Sequence, residues 1–363
     1  LKKKLKKLQM TDFDLLICEW YRRNKRELPW RETKDPYCIW LSEVILQQTR
    51  VDQGKNYYLK FIDHYPTVQD LAMADEQEVL NDWQGLGYYS RARNLHASAK
   101  MIVDKFNGKF PSTYSDILSL KGVGEYTAAA IASFAFDLPH VVLDGNVFRI
   151  LSRIFDVALA IDSSEGKKAF QKLAEDLLPK DNAAEFNQAI MEFGAIHCTP
   201  VNPQCDSCIF SSNCLAFANK TVSTRPVKIG KTKVRKRFFN YLIFISQGKI
   251  ILQKRLNDDI WKHLFEFPLI ETDAEQNELE FNDLLNSKYG MQSRFSILGK
   301  KHILSHQHLF AQYWFFSCES LDFFPQDENV IAIEIGKLQD FPLPRLIDRF
   351  LEENYDKIAN FKN

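Results

Sequence analysis

Two carboxylates, two glycines and four thiols are the parts of this 363-residue chain whose types and spacing could do chemistry. Glu43 stands in Trp40-Leu41-Ser42-Glu43-Val44-Ile45-Leu46-Gln47-Gln48-Thr49-Arg50-Val51. A carboxyl held against apolar groups keeps its proton to higher pH, which is what a general acid needs. Helical spacing puts Leu46, Gln47 and Arg50 on its face, and a surface Glu paired with Arg50 is the plainer reading of that spacing. Asp144 ends the apolar run Val141-Val142-Leu143 ahead of another helix, where capping is the plainer role. Leu120-Lys121-Gly122-Val123-Gly124 carries two glycines that allow positive φ and close approach of the backbone. Gly124 opens a helix, and free N–H groups at a helix start suit a phosphate. Cys198-x6-Cys205-x2-Cys208-x5-Cys214 can close around one metal centre, either zinc or a cubane. Four exposed free thiols so close would be an oxidation hazard.

The elements that must hold these groups are mostly helical up to about residue 195. Patterns of helical period cover 12–23 and 36–62, with the rigid turn Leu28-Pro29-Trp30-Arg31 between them. Residues 66–110 continue so, interrupted by Trp83-Gln84-Gly85-Leu86-Gly87-Tyr88-Tyr89-Ser90-Arg91-Ala92-Arg93. Glycines flanking Leu86 make a close-approach loop on which Tyr88 can wedge between bases, with Arg91 and Arg93 on phosphates. A core-packing aromatic loop is the alternative. Ser112 is expected to cap a helix through Ile117, Leu118 and Leu120, and a second helix spans Glu125 to about Phe136. In the amphipathic stretch 186–194, Gln188 offers a donor and an acceptor to a base edge, or is simply solvated. Lys220 to Arg237 holds eight basic residues and no acid. That composition reads as a linker, along a DNA backbone or merely in solvent. From 238 the pattern is α+β. Strands are expected at Phe239–Ser246, Lys249–Arg255, Ala311–Cys318 and Asn329–Ile335, with helices at Glu275–Lys288 and Arg345–Phe361. His302, His306 and His308 could suggest a metal, but one His per strand face is more often packing.

Length favours two domains. Net charge is zero, yet residues 1–237 hold 34 Lys+Arg against 28 Asp+Glu (+6), and 238–363 hold 13 against 19 (−6). The basic part carries the hairpin, consistent with phosphate contact there. No run of eighteen apolar residues exists, so no membrane span is expected. The basic start Leu1 to Lys7 lacks the apolar core of a secretory signal and reads as a ragged helix. Cys18, Cys38 and Cys318 are isolated in apolar surroundings and are expected to be buried. The cysteine usage points to a reducing, intracellular compartment: the cytoplasm, beside the nucleoid in a bacterium.

The hairpin followed by Asp144 resembles the helix-hairpin-helix DNA glycosylase superfamily that includes endonuclease III. Glu43 through Val51, with Leu28 to Arg31 ahead, looks like the signature of MutY-type adenine DNA glycosylases. The Trp83–Arg93 loop and the spacing of the four cysteines are similar too. The resemblance implies an all-α helix-hairpin-helix glycosylase region over 1–218, a basic linker over 219–237, and a Nudix-like α+β domain over 238–363. Leu264-Phe265-Glu266-Phe267-Pro268 is the scrap that carries the last match. No Arg-Glu…Glu-Glu cluster follows Pro268, so this domain is expected to bind rather than hydrolyse.

By the same resemblance, Glu43 protonates adenine N7 and Asp144 faces the sugar of an extruded nucleotide; Asn146, two residues on, is expected to orient Asp144. Tyr126 stands where endonuclease III-type lyases carry Lys, so a glycosylase without efficient lyase chemistry is implied. Trp30, Arg31, Leu46 and Val51 line or border the adenine pocket, and Gln188 lies beside the base. Gln48 fills the gap in the duplex, and Leu86 and Tyr88 meet the opposite base. Ser305 and His306 touch 8-oxoguanine, with Leu304 in place of the usual Phe. Gly122 and Gly124 hold a DNA phosphate with a monovalent cation on hairpin carbonyls, where Lys121 replaces the usual Pro. Cys198, Cys205, Cys208 and Cys214 hold a [4Fe–4S] cluster. The implied partner is double-stranded DNA with an adenine:8-oxoguanine mismatch, met by a monomer. Two competing readings are an endonuclease III-like glycosylase-lyase on oxidised pyrimidines and a catalytically silent iron–sulfur DNA-binding protein.

Overall fold

The computed structural model describes residues 12–230, 234–324 and 329–361. The basic segment Leu1–Lys7 lies outside the described residues. The chain forms two compact units that interleave in sequence. One comprises residues up to Met73 and Asn94–Gly230; the other comprises Ala74–Arg93 and the residues from 231 on. The Leu86–Tyr88 loop thus groups with the C-terminal unit, although it lies inside the 1–218 stretch.

In chain order the helices are α1 (Phe13–Asn24), α2 (Pro36–Ile45), α3 (Val51–His64), α4 (Val68–Met73), α5 (Glu76–Asp82), α6 (Ser90–Lys105), α7 (Tyr114–Leu118), α8 (Glu125–Phe136), α9 (Gly145–Ile154), α10 (Ser164–Leu177), α11 (Ala183–Ile196) and α12 (Leu215–Ala218). The expected helix 36–62 is two helices, because the chain turns at 46–50, where Gln48 has φ +56°. Thr113, not Ser112, caps α7: its side chain accepts from Asp116 N–H at 3.2 Å. Apolar faces of α1, α9, α10 and α11 meet in one core around Ile17, Ile150, Phe170 and Phe193. Burying such side chains fully is worth about 1.5–3 kcal/mol each.

Segment 219–230 is not a free linker. Asp162 accepts N–H groups from Ile229 (3.1 Å) and Gly230 (2.7 Å), and Arg225 pairs with Asp156 at 2.9 Å. Residues 235–237 already belong to the first strand, and 231–233 lie outside the described residues.

The second unit is built on an eight-stranded sheet. Its strands are β1 (Arg235–Ser246), β2 (Lys249–Lys254), β3 (Phe265–Glu266), β4 (Leu269–Thr272), β5 (Phe295–Leu298), β6 (His302–Ile303), β7 (Gln307–Ser317) and β8 (Val330–Glu334); helices α13 (Glu278–Tyr289) and α14 (Arg345–Ala359) complete it. β1 and β7 run parallel at the centre, with Tyr241 opposite Tyr313 and Phe244 opposite Phe316. Those pairs stack at 5.4 and 4.6 Å, which ties the sheet's middle together. β3 to β6 are two to four residues long, too short for a period-2 pattern to show in sequence. Arg237, counted above among the linker's basic residues, is buried and clamped by Glu271 and Asp259 at 2.6 and 2.7 Å.

Candidate active site

α2 ends two residues beyond Glu43, so Arg50 is not on its helical face. Arg50 instead precedes α3, and the pairing with Glu43 does not form. Glu43 is 8 % exposed, and its Oε2 accepts the Tyr126 hydroxyl at 3.1 Å. Burial raises its pKa to about 7; the Tyr126 hydrogen bond pulls down, and the nearby Asp144 charge adds to the rise. Tyr126 itself is pushed well above its ordinary value by burial, then by Glu43 and Asp144, so it stays a hydroxyl donor.

Asp144 is the N-cap of α9 and also faces the same cavity, so the plain and the chemical readings hold together. It accepts Val147 N–H at 2.7 Å and the Asn146 side-chain amide at 2.6 Å. Burial raises its pKa, while these donors and Arg149 oppose the rise. Asn146 in turn accepts from Arg149 at 2.9 Å, and Arg149 donates to Gly194 and Cys198 carbonyls at 2.6 and 2.8 Å. Gly194 is required there, because a Cβ would sit 2.6 Å from Asn146 Cβ.

Glu43, Tyr126, Asp144 and Asn146 line one cavity of about 230 Å³ with Trp30, Arg31, Leu46, Val51 and Gln188. The structure therefore brings together every residue assigned to the acid–base pair and the adenine pocket. Gln48 lies outside it, exposed at the turn between α2 and α3. Trp30 packs edge-on against Tyr58 at 5.2 Å, and Gln188 accepts the Tyr21 hydroxyl at 2.6 Å.

In the hairpin, Gly122 has φ +74°, and a Cβ there would meet Asn94 Cβ at 2.7 Å. Gly124 starts α8, and a Cβ on it would meet nothing within 4 Å. The first position fixes the turn; the second leaves its N–H groups open to a phosphate. Lys121 carbonyl already accepts the Ser98 hydroxyl at 3.0 Å.

The four clustered cysteines lie between α11 and α12 without disulfides. Burial raises the Cys208 thiol to about 11, and Cys198, Cys214 and Cys205 all add to the rise, so the other three lie near enough to be felt. Arg153 donates to Cys198 Sγ at 3.4 Å and to the Thr199 carbonyl at 2.7 Å. Among the described residues no three His, Cys, Asp or Glu are placed as ligands of one metal ion. A cubane differs in giving each thiolate its own iron, and four free thiols in one loop, with a guanidinium at Cys198, are the donor set it takes. Of the isolated cysteines only Cys18 is fully buried; Cys38 and Cys318 are half-buried.

In the second unit Gly85, Gly87 and Tyr88 have φ of +98°, +71° and +48°, and Leu86 is buried between them. Tyr88 is 41 % exposed. Arg91 is not free for phosphate: it is buried, donates to the Leu86 and Gly87 carbonyls at 3.2 and 3.1 Å, and lies over Trp83 at 5.0 Å. Arg93 donates to the Lys262 carbonyl at 2.6 Å. Arg91 thus braces the loop from within, and Arg93 ties it to the Lys262 segment. Ser305 and His306 are exposed at the turn between β6 and β7, and Ser305 hydrogen-bonds the Tyr88 hydroxyl.

Residues 41–180 match the HhH-GPD superfamily of base excision DNA repair proteins, and 240–353 match the NUDIX domain. An adenine DNA glycosylase of Buchnera aphidicola subsp. Baizongia pistaciae is 34 % identical over 338 residues, covering 92 % of this chain and 94 % of that one. The adenine DNA glycosylase of Homo sapiens is 41 % identical over 217 residues, 57 % of this chain and 40 % of that one. The chain belongs to the adenine DNA glycosylases. A thermostable thymine-DNA glycosylase structure is 30 % identical with TM-score 0.53, covering 60 % of this chain and 98 % of that one. An endonuclease III–DNA complex shares the fold at 24 % identity and TM-score 0.51, over 58 % and 96 %. This adenine DNA glycosylase is thus a base excision DNA repair enzyme that acts on DNA. No helix among the described residues is long and apolar enough to cross a membrane.

Sequence reasoning missed how the pocket of this adenine DNA glycosylase is braced. Glu192 is buried at 1 % exposure and accepts from Arg26 at 2.6 Å and Arg31 at 2.7 Å. Burial pushes its pKa up, but the two guanidinium groups override that and hold it near about 2. Its place four residues after Gln188, on the same face of an apolar helix, was the available signal. Gly54 was missed as well; a Cβ there would meet Leu46 Cδ2 at 2.7 Å, so a side chain at 54 would push Leu46, a residue of the pocket wall.

Proposed function

We propose that the enzyme removes adenine mispaired with 8-oxoguanine, leaving an abasic site, and that it does so as a monomer. The observation that carries the glycosidic cleavage is the pair of carboxyls on one cavity. Glu43, pushed up to about 7, keeps a proton to give to the base; burial raises Asp144 too, but the Val147 and Asn146 donors and Arg149 oppose that rise, and we assign it the anionic part. Proton transfer from Glu43 to adenine lets the N-glycosidic bond break with the electron pair leaving on the base. Asp144 stabilises the positive sugar, and water adds to C1′ to complete the hydrolysis. Trp30, Arg31, Leu46, Val51 and Gln188 shape and hold the adenine, while Gln48 fills the gap it leaves.

Duplex DNA hides the bond, so the adenine must be flipped out at a cost of a few kcal/mol. Gly122 and Gly124 offer the phosphate anchor, with a monovalent cation on the hairpin carbonyls. Leu86 and Tyr88 supply the wedge. Nearly all adenines in DNA are correct, so the signal lies in the opposite base, which Ser305 and His306 read. Sequence domains 1–218 and 238–363, joined across 219–237, divide these tasks. Cys198, Cys205, Cys208 and Cys214 would hold a [4Fe–4S] cluster whose part is structural. The cytoplasm, beside the nucleoid in a bacterium, is the compartment such reduced thiols suit.

The test is adenine release under single turnover from duplexes with adenine opposite 8-oxoguanine, opposite guanine and opposite thymine. Release should be fastest from the first and absent from the last. Equal release from all three, or excision of an oxidised pyrimidine instead, overturns the reading. Borohydride should trap little covalent adduct, since Tyr126 offers no amine for a Schiff base.

A further inference from the structure

We propose that a second site, a cavity of about 270 Å³ beside β5, β6 and α14, holds a backbone phosphate of the DNA strand that carries the opposite base. The inference rests on the assignment of Ser305 and His306 to that base only for the choice of strand. The cavity has a rigid floor: the rings of Tyr313 and Phe350 stack face to face at 3.5 Å and 6°. At its edge the chain turns at Gly299, where a Cβ would lie 2.9 Å from Tyr313 Cε2 and 3.1 Å from Ala311 carbonyl. Only glycine lets that turn press on the floor, and it delivers Lys300 and Lys301 to the rim.

The rim is basic and incompletely neutralised. Lys300 pairs with Glu353 at 2.6 Å, both in solvent. Lys301 lies over the Phe310 ring at 5.5 Å, and neither it nor Arg349 has an ion pair among the described residues. His302, inside the cavity, is held below its ordinary pKa by burial and then by the charges of Arg349 and Arg345. The field there is positive in a part of the chain whose sequence carries −6. Lys301 and Arg349, without an ion pair among the described residues, stand at the rim of a cleft with a largely apolar floor, and such cations are what a phosphate monoanion or diester completes.

Two sources could supply that phosphate: DNA or a free nucleotide. Chain continuity favours DNA. Lys301 and Ser305 are four residues apart, at most about 14 Å of extended chain. That is the length of about four base steps at 3.4 Å each along one strand. A strand whose base meets Ser305 would therefore carry its neighbouring phosphates past Lys301 and Arg349.

The experiment uses the full chain with Glu43→Gln, so that bound DNA is not processed. Affinity for a duplex with adenine opposite 8-oxoguanine is measured from low to high KCl, with and without Lys301→Gln and Arg349→Gln. Each lost phosphate contact should flatten the slope of log K against log salt by about 0.9. Lys301→Arg should restore it. The ratio of affinities for 8-oxoguanine and guanine duplexes should be unmoved by these variants and lowered by Ser305→Ala. An unchanged slope in both Gln variants overturns the site. So does an unchanged slope together with calorimetric binding of dAMP or inorganic phosphate that the Gln variants abolish, which would make it a free-nucleotide site. A flattened slope with no effect of Ser305→Ala supports the phosphate site and overturns the base-reading role of Ser305.

Discussion

The hydroxyls of Tyr88 and Ser305 are hydrogen-bonded to each other across 217 positions of sequence. One belongs to the left-handed loop that closes on Arg91, the other to the turn between β6 and β7. Residues 74–93 share a compact unit with the sheet, so the proposed wedge and the proposed reader of the opposite base belong to one unit. Ser305→Ala with His306→Ala should lower discrimination between adenine opposite 8-oxoguanine and adenine opposite guanine by about tenfold to a hundredfold. That follows from about 1–3 kcal/mol per good base contact. The check is the ratio of single-turnover rates at sub-saturating enzyme. A ratio that does not move removes these residues from recognition.

Glu43→Gln should bind the mismatched duplex and release no adenine, because an amide keeps the shape without the proton. In the unmodified enzyme excision should decline as pH rises through about 7, where Glu43 loses its proton. Tyr126→Phe removes a hydrogen bond that favours the carboxylate, so the alkaline limb should move to higher pH. A limb that stays in place or moves down would show that Glu43 is not the titrating acid.

The same group sets a stability trend. The folded pKa of Glu43 lies above its unfolded value near 4.5, so the folded state holds the extra proton between them. Stability should therefore fall as pH climbs from 4.5 through about 7. Glu43→Gln escapes that loss, gaining up to about 3 kcal/mol over the parent above neutrality at 1.4 kcal/mol per pH unit. Thermal melts of the two proteins at acid and alkaline pH should diverge in that direction; a gap that closes toward alkaline pH contradicts it.

Gly122 and Gly124 should respond differently to alanine. At Gly122 the left-handed backbone and Asn94 both oppose a Cβ, so Gly122→Ala should lower stability, by about 1–2 kcal/mol. At Gly124 the space is open and φ is −92°, so Gly124→Ala should fold normally. Its methyl would stand at the start of α8, at the proposed phosphate anchor, and DNA affinity should drop. Denaturant melts and DNA titrations separate the two; equal behaviour of both variants would contradict this division.

Iron should be found at about four atoms per chain after anaerobic purification, with broad violet absorption. Stoichiometric zinc without iron would sink the cluster. The thiol loop reaches Asp144 through Cys198 carbonyl, Arg149 and Asn146. Cys198→Ser should therefore slow excision itself as well as destabilise the fold. Normal single-turnover excision by a cluster-free variant would show that the relay carries nothing.

The local devices are legible along the chain. The glycines of the hairpin, the Trp83–Arg93 loop, the thiol spacing and Glu43 among apolar neighbours are each read within a dozen residues, because turns, caps and metal ligands depend on near neighbours. Tertiary structure decided which of those devices meet. Glu43 looked as though it would pair with Arg50 until the chain turned at Gln48; Tyr126, 83 positions away, took that place. Arg91, Arg93 and Arg237 read as phosphate ligands by charge, but folding turned them onto carbonyls and carboxylates of their own unit. Charge and spacing are local properties. Burial, and with it the pKa of Glu43 and the pairing of Glu192 with Arg26 and Arg31, exists only once distant helices have packed.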